Sequence, residues 1–116
     1  MLIVDDSEAF RMQARAMLEG EGFAIVAEAA DAAGGLAAWL TSRPQVALVD
    51  VNLPDGDGFA LAAALEGHAG APVVVLTSSR EAGAYRLRLE RTRAAGFIPK
   101  DELSGPAIRA LIARPA

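Results

Sequence analysis

Five short apolar runs recur along the chain, each followed by a polar break and a stretch of helical spacing. They are MLIV (1–4), FAIVAEA (23–29), VALV (46–49), VVVLT (73–77) and GFIP (96–99). Nothing else in the sequence narrows the fold so far. Runs rich in valine and isoleucine without polar alternation suit strands that are covered on both faces. After Ser7, a plausible N-cap, Phe10, Ala14, Met17 and Leu18 form an i, i+4, i+7, i+8 stripe. Asp31 caps a second expected helix through Leu36, Trp39 and Leu40, which Pro44 ends. Phe59, Ala62, Ala63 and Leu65 mark a third helix, and residues 80–94 a fourth with its arginines facing water. Ser104, Pro106 in the first turn, and Ile108, Leu111 and Ile112 mark a fifth.

Strand alternating with helix implies parallel pairing, right-handed crossovers and a doubly wound α/β sheet. Pro99 removes a backbone donor from the last run, which suits an edge strand. The expected architecture is flavodoxin-like: a five-stranded parallel sheet in the order 2-1-3-4-5 with five helices, one domain over residues 1–116. A Rossmann half is the rival. DDSEAF follows the first run, however, where that fold would carry G-x-G-x-x-G.

Composition removes several classes of function. The chain is 53% hydrophobic and 22% charged, as a globular domain with a generous core should be. A net charge of -4 argues against direct nucleic-acid contact by this domain. No cysteine is present, which excludes disulfides and thiolate metal sites. No run reaches the ~20 apolar residues of a membrane span, and carboxylates at positions 5 and 6 come too early for a signal peptide. KDEL occurs at 100–103, inside the chain and not at its end. A cytoplasmic location is expected.

In a doubly wound sheet, ligands bind outside the carboxyl ends of the strands. Those ends hold Asp5 and Asp6, then Asp50 followed by Asn52, then Thr77, and finally Lys100, the chain's only lysine. Glu28 and Asp31, at the end of the second run, read as solvated. Two like charges ~4 Å apart near a surface repel by ~4 kcal/mol at an effective dielectric of about 20. Three converging carboxylates therefore call for a hard divalent cation, and oxygen ligands suit Mg²⁺. Lys100 supplies a compact second counter-charge, and Thr77 a hydroxyl.

LIVDDS, LVDVNLPDGDG, VVLTSS and GFIPK, in that order, resemble the receiver domain of two-component response regulators over essentially the whole chain. The resemblance implies that Asp50 accepts a phosphoryl group from a sensor histidine kinase or a histidine phosphotransfer protein. It also implies that Asp6 ligates Mg²⁺ directly, Asp5 through water, and Asn52 through its backbone carbonyl. Thr77 would bond the phosphoryl group and Lys100 would pair with Asp50. Phe97 matches the family's aromatic switch. The face of the fourth helix, fifth strand and fifth helix would meet an output domain or dimer partner. Such a domain is a switch that assists its own phosphotransfer and dephosphorylation, not a turnover enzyme. One departure stands out: Asp101 follows the lysine where family members commonly carry proline.

Two other readings share some of these features. A haloacid-dehalogenase-like phosphatase also uses an aspartyl phosphate, Mg²⁺ and lysine, but on a D-x-D at the first strand, where this chain has adjacent aspartates. A receiver-like interaction module that is never phosphorylated would not need Asp50, Thr77 and Lys100 together. Elsewhere, Asp55 and Asp57 in PDGDG read as a turn and a helix cap. His68 reads as an exposed loop residue and Trp39 as core or half-buried. Arg86, Arg88, Arg91 and Arg93 read as a solvated face.

Overall fold

A computed structural model describes residues 1–113; the last three residues of the expected domain lie outside it. Five parallel strands make the sheet: β1 (Leu2–Val4), β2 (Ala27–Ala29), β3 (Val46–Asp50), β4 (Val73–Ser78) and β5 (Gly96–Pro99). Their order is β2-β1-β3-β4-β5, as expected, with the Pro99 strand at an edge. The helices are α1 (Glu8–Gly20), α2 (Ala32–Ser42), α3 (Gly58–Glu66), α4 (Arg86–Arg91) and α5 (Gly105–Ile112). Ser7, Asp31, Asp57 and Ser104 cap four of them, each side chain accepting a backbone N–H three residues on.

Strand alternation divides the core in two. Leu2, Val4, Val49 and Leu76 face Trp39, Leu61 and Leu65 of α2 and α3. Ile3, Leu48, Val75 and Ile98 face Ala14, Leu18 and Ile108 of α1 and α5. Both faces of the sheet are thus covered, which is why its runs show no polar alternation.

The structure corrects several expectations. Only Ala27–Ala29 of the FAIVAEA run pairs, because β1 offers three residues to pair with. Phe23 instead closes the end of α1, donating its N–H to Leu18, and Val26 is exposed. Leu40 is exposed, since Trp39 takes the inward position of that turn. On α3 the buried stripe runs through Leu61, Ala62 and Leu65, while Ala63 faces water. The fourth helix is split into a 3-10 turn (Ala82–Tyr85) and the six-residue α4. Thr92 ends it by turning extended and accepting the Ala94 N–H. His68 is half-buried, edge-on to the Trp39 ring at 5.5 Å. Glu28 is not free in solvent: it pairs with Arg11 at 3.2 Å and Arg15 at 2.7 Å.

Candidate phosphoacceptor site

β1 and β3 run side by side and release their chains at the same edge of the sheet, so Asp5, Asp6 and Asp50 meet there. One carboxylate oxygen from each lies within 4.8 Å of the others. Asp5 and Asp50 are buried and Asp6 is exposed. Local bonds hold each in place. Asp5 Oδ1 accepts the Ser7 N–H at 2.9 Å, the turn that starts α1, while Asp5's carbonyl accepts from Arg11. Asp50 Oδ1 accepts the Asn52 N–H at 3.1 Å. Val51 N–H donates to the Thr77 carbonyl, keeping the end of β3 against β4.

Lys100, directly after β5, reaches back across the sheet end. Its Nζ lies 2.8 Å from Asp5 Oδ2 and 3.3 Å from Asp50 Oδ2. The shorter pairing is with Asp5; the expected partner, Asp50, comes second. Asp101 in the place of proline leaves this reach intact: residues 100–102 form a 3-10 turn. The Phe10 ring lies under the ammonium, 4.3 Å from centroid to Nζ, a cation–π contact. Burial pushes the Asp50 carboxyl up, the Asn52 N–H opposes, Asp5 adds to the rise and Lys100 resists it; the net direction is upward. Burial would lower Lys100, but the carboxylates of Asp5 and Asp50 outweigh it and hold the ammonium above its ordinary value.

Thr77 sits beside Asp50 in register, but its hydroxyl donates to the Ile98 carbonyl at 2.7 Å and is aimed at β5. Phe97 is half-buried outside the carboxylate cluster, 5.7 Å from the Tyr85 ring. The loop after Asp50 folds into a small hairpin of Asn52–Leu53 and Gly56–Asp57. Asp55 in its turn accepts from the Ala32 and Ala33 N–H groups, capping α2 from outside. Asp57 caps α3 and pairs with Arg88, whose guanidinium also covers Phe59. Both are therefore turn and cap residues, while Arg88 is engaged and not simply solvated.

An all-oxygen set with one exposed and two buried carboxylates fits Mg²⁺, which takes few protein ligands and keeps its waters. Asp5 Oδ2 supplies a direct sign of fit. It is buried and shares the single Lys100 ammonium, 2.8 Å away, with Asp50, so three carboxylates within 4.8 Å face one compensating charge.

Four contributors were not legible in the sequence. Phe10 belongs to an ordinary apolar stripe, and only the fold puts it beneath Lys100. Gly58 touches β3 so closely that a Cβ would collide with the Asp50 carbonyl. Ser78 and Tyr85, the chain's single tyrosine, hold the Asn52 side chain; a lone tyrosine in an arginine-rich stretch carries no periodic signal.

A family model described as the response regulator receiver domain matches residues 1–112. The transcriptional regulatory protein PdtaR of Mycobacterium tuberculosis is 30% identical over 97% of this chain and 60% of its own length. KdpE, the KDP operon transcriptional regulatory protein of Escherichia coli, is 37% identical over 70% of this chain and 36% of its own length. The chain thus spans only part of the curated relatives it matches. Among solved structures, the signal receiver domain of NarL from Mycobacterium tuberculosis superposes with a TM-score of 0.86 at 30% identity, covering 97% of this chain and 95% of that one.

Proposed function

Because the chain belongs to the response regulator receiver family of two-component signalling, we propose that Asp50 is its phosphoacceptor and that residues 1–116 act as one phosphorylation-dependent switch. One observation carries the assignment: of the two buried carboxylates in the cluster, Asp50 is the one that ends the central strand β3 in register with Thr77, with the one lysine 3.3 Å away.

Transfer needs positioning and charge neutralisation more than covalent assistance. An ionised Asp50 oxygen attacks the phosphorus of a phosphohistidine, borne by a sensor histidine kinase or a histidine phosphotransfer protein. The new O–P bond forms as the N–P bond breaks, and the departing imidazole regains a proton from solvent. The Asn52 N–H holds Asp50 Oδ1, leaving Oδ2 to face Lys100. Lys100 then follows the added charge, roughly -1.5 to -2, onto the phosphoryl oxygens. Asp6 and Asp50, the Asn52 carbonyl, and Asp5 through water would hold Mg²⁺, which when bound neutralises phosphoryl charge. Thr77 releases the Ile98 carbonyl to bond the phosphoryl group, and Phe97 turns inward behind it. The face of α4, β5 and α5 carries that change to an output domain or a second receiver. The domain assists its own phosphotransfer and dephosphorylation without turning over a substrate, and it works in the cytoplasm; no described helix is long and apolar enough to cross a membrane.

Incubation with acetyl phosphate and Mg²⁺ tests this. Wild type gains one acid-stable, base-labile phosphoryl group, and Asp50→Asn gains none. Equal labelling of both proteins would overturn the assignment, and sustained hydrolysis of a generic phosphomonoester would favour a phosphatase.

A further inference from the structure

Asn52 carries two duties in the proposed site: its N–H orients the Asp50 carboxylate, and its carbonyl would ligate Mg²⁺. Yet Asn52 is exposed and opens a hairpin whose strands are two residues each. What steadies it is a polar triangle on its side chain. Asn52 Nδ2 donates to Tyr85 Oη at 3.1 Å and to Ser78 Oγ at 3.4 Å. Ser78 Oγ and Tyr85 Oη lie 2.9 Å apart, and the Arg80 N–H donates to Ser78 Oγ. Tyr85 is itself immobilised: it is buried, with its ring tilted against Phe59 at 6.0 Å and Phe97 at 5.7 Å.

We infer that Tyr85 is a positioning residue of this site, its hydroxyl pinning the Asn52 side chain so that Asn52's main chain presents a fixed N–H to Asp50 and a fixed carbonyl to Mg²⁺. The Ser78–Tyr85 contact is buried and the two bonds from Asn52 are partly so, and a hydroxyl left unmet inside the apolar cluster would be costly. A phenylalanine would fill the space between Phe59 and Phe97 equally well; only the hydroxyl explains a tyrosine. Its place where the 3-10 turn meets α4 also ties the rim of the site to the arginine-bearing segment.

The inference rests on the proposed function, and a Mg²⁺ titration followed at the Asp6 and Asn52 backbone amides of ¹⁵N-labelled protein separates the two. Tyr85→Phe removes the hydroxyl alone and is expected to raise the Mg²⁺ Kd about five-fold, the effect of one ordinary hydrogen bond. Asn52→Ala, which also loses the bond to Ser78, should cost at least as much, and Tyr85→Phe with Asn52→Ala no more than Asn52→Ala alone, since the tyrosine acts through the Asn52 side chain. If Tyr85→Phe does not fold, Ser78→Ala removes another corner of the triangle and carries the same expectation. A Kd within two-fold of wild type, or losses that multiply in the double variant, would overturn the inference. Wild type that binds no Mg²⁺ would overturn the proposed function beneath it as well.

Discussion

Lys100 shows how much a single residue answers for. Its ammonium faces two buried carboxylates while its own side chain keeps about a fifth of its surface in water. Removing it strands Asp5 and Asp50 as uncompensated charges. Lys100→Ala should therefore destabilise the metal-free protein by up to roughly 3 kcal/mol in urea melts, and slow labelling by acetyl phosphate about 10²-fold. Unchanged labelling would remove the lysine from the mechanism. Asp50 gives the pH prediction. Burial raises its folded carboxyl above the unfolded value, so between those two values the native chain holds a proton that the unfolded chain has released. Stability then falls as pH rises through that window, and the penalty persists above it. Side-chain ¹³C titration of Asp50 without Mg²⁺ should give a midpoint above the usual ~3.9, and higher still in Lys100→Ala. A midpoint at or below the usual value would contradict the burial argument.

At the scale of elements, the site depends on how closely α3 approaches β3. Gly58, the first residue of α3, donates its N–H to the Val51 carbonyl, and its missing side chain leaves room for the Asp50 carbonyl. Because that neighbour is backbone, it cannot swing aside as a flexible side chain would. Gly58→Ala should cost roughly 1–3 kcal/mol and weaken Mg²⁺ binding, because the strand end that carries Asp50 must shift. Thermal melts and Mg²⁺ titration read the two effects, and a variant equal to wild type in both would refute the close-approach account. The hairpin between them has a related role: with Asp55 on α2 and Asp57 on α3, it fastens two helix starts beside the pocket. The broken fourth helix belongs to the same pattern, its first turn held down by Tyr85.

For the whole molecule, the pocket is a consequence of strand order. β2 lies on one side of β1 while β4 and β5 lie beyond β3, so the loops after β1 and β3 diverge and open a crevice between them. Like charges gathered there destabilise the metal-free fold, and a cation that binds only the folded chain should restore it. Mg²⁺ at 100 times its Kd adds about 2.7 kcal/mol, visible as a rise in Tm that EDTA abolishes. Without Mg²⁺, Asp50→Asn should itself melt roughly 3–6 °C higher than wild type, the shift of about 1 kcal/mol in a domain this size, and should gain less from Mg²⁺. A Tm indifferent to Mg²⁺ would remove the cation from the site.

Apolar runs at regular intervals, with helix caps between them, were enough to specify a parallel sheet and the ends at which chemistry collects; its strand order was chosen over a Rossmann half on Pro99 and the missing G-x-G-x-x-G. These are local facts, since valine-rich runs pair and Ser7, Asp31 and Ser104 start helices wherever the chain later goes. They brought out Asp5, Asp6, Asp50, Thr77 and Lys100 without any coordinates. Contacts between distant segments had no such signature. That Lys100 sits closer to Asp5 than to Asp50, that Phe10 lies beneath it, that Thr77 is turned toward Ile98, and that Tyr85 grips Asn52 all depend on which side chains the folded sheet carries within a few ångströms of one another. Spacing along the chain encodes which face a residue takes; the distance across the pocket is set by how the helices pack on the sheet.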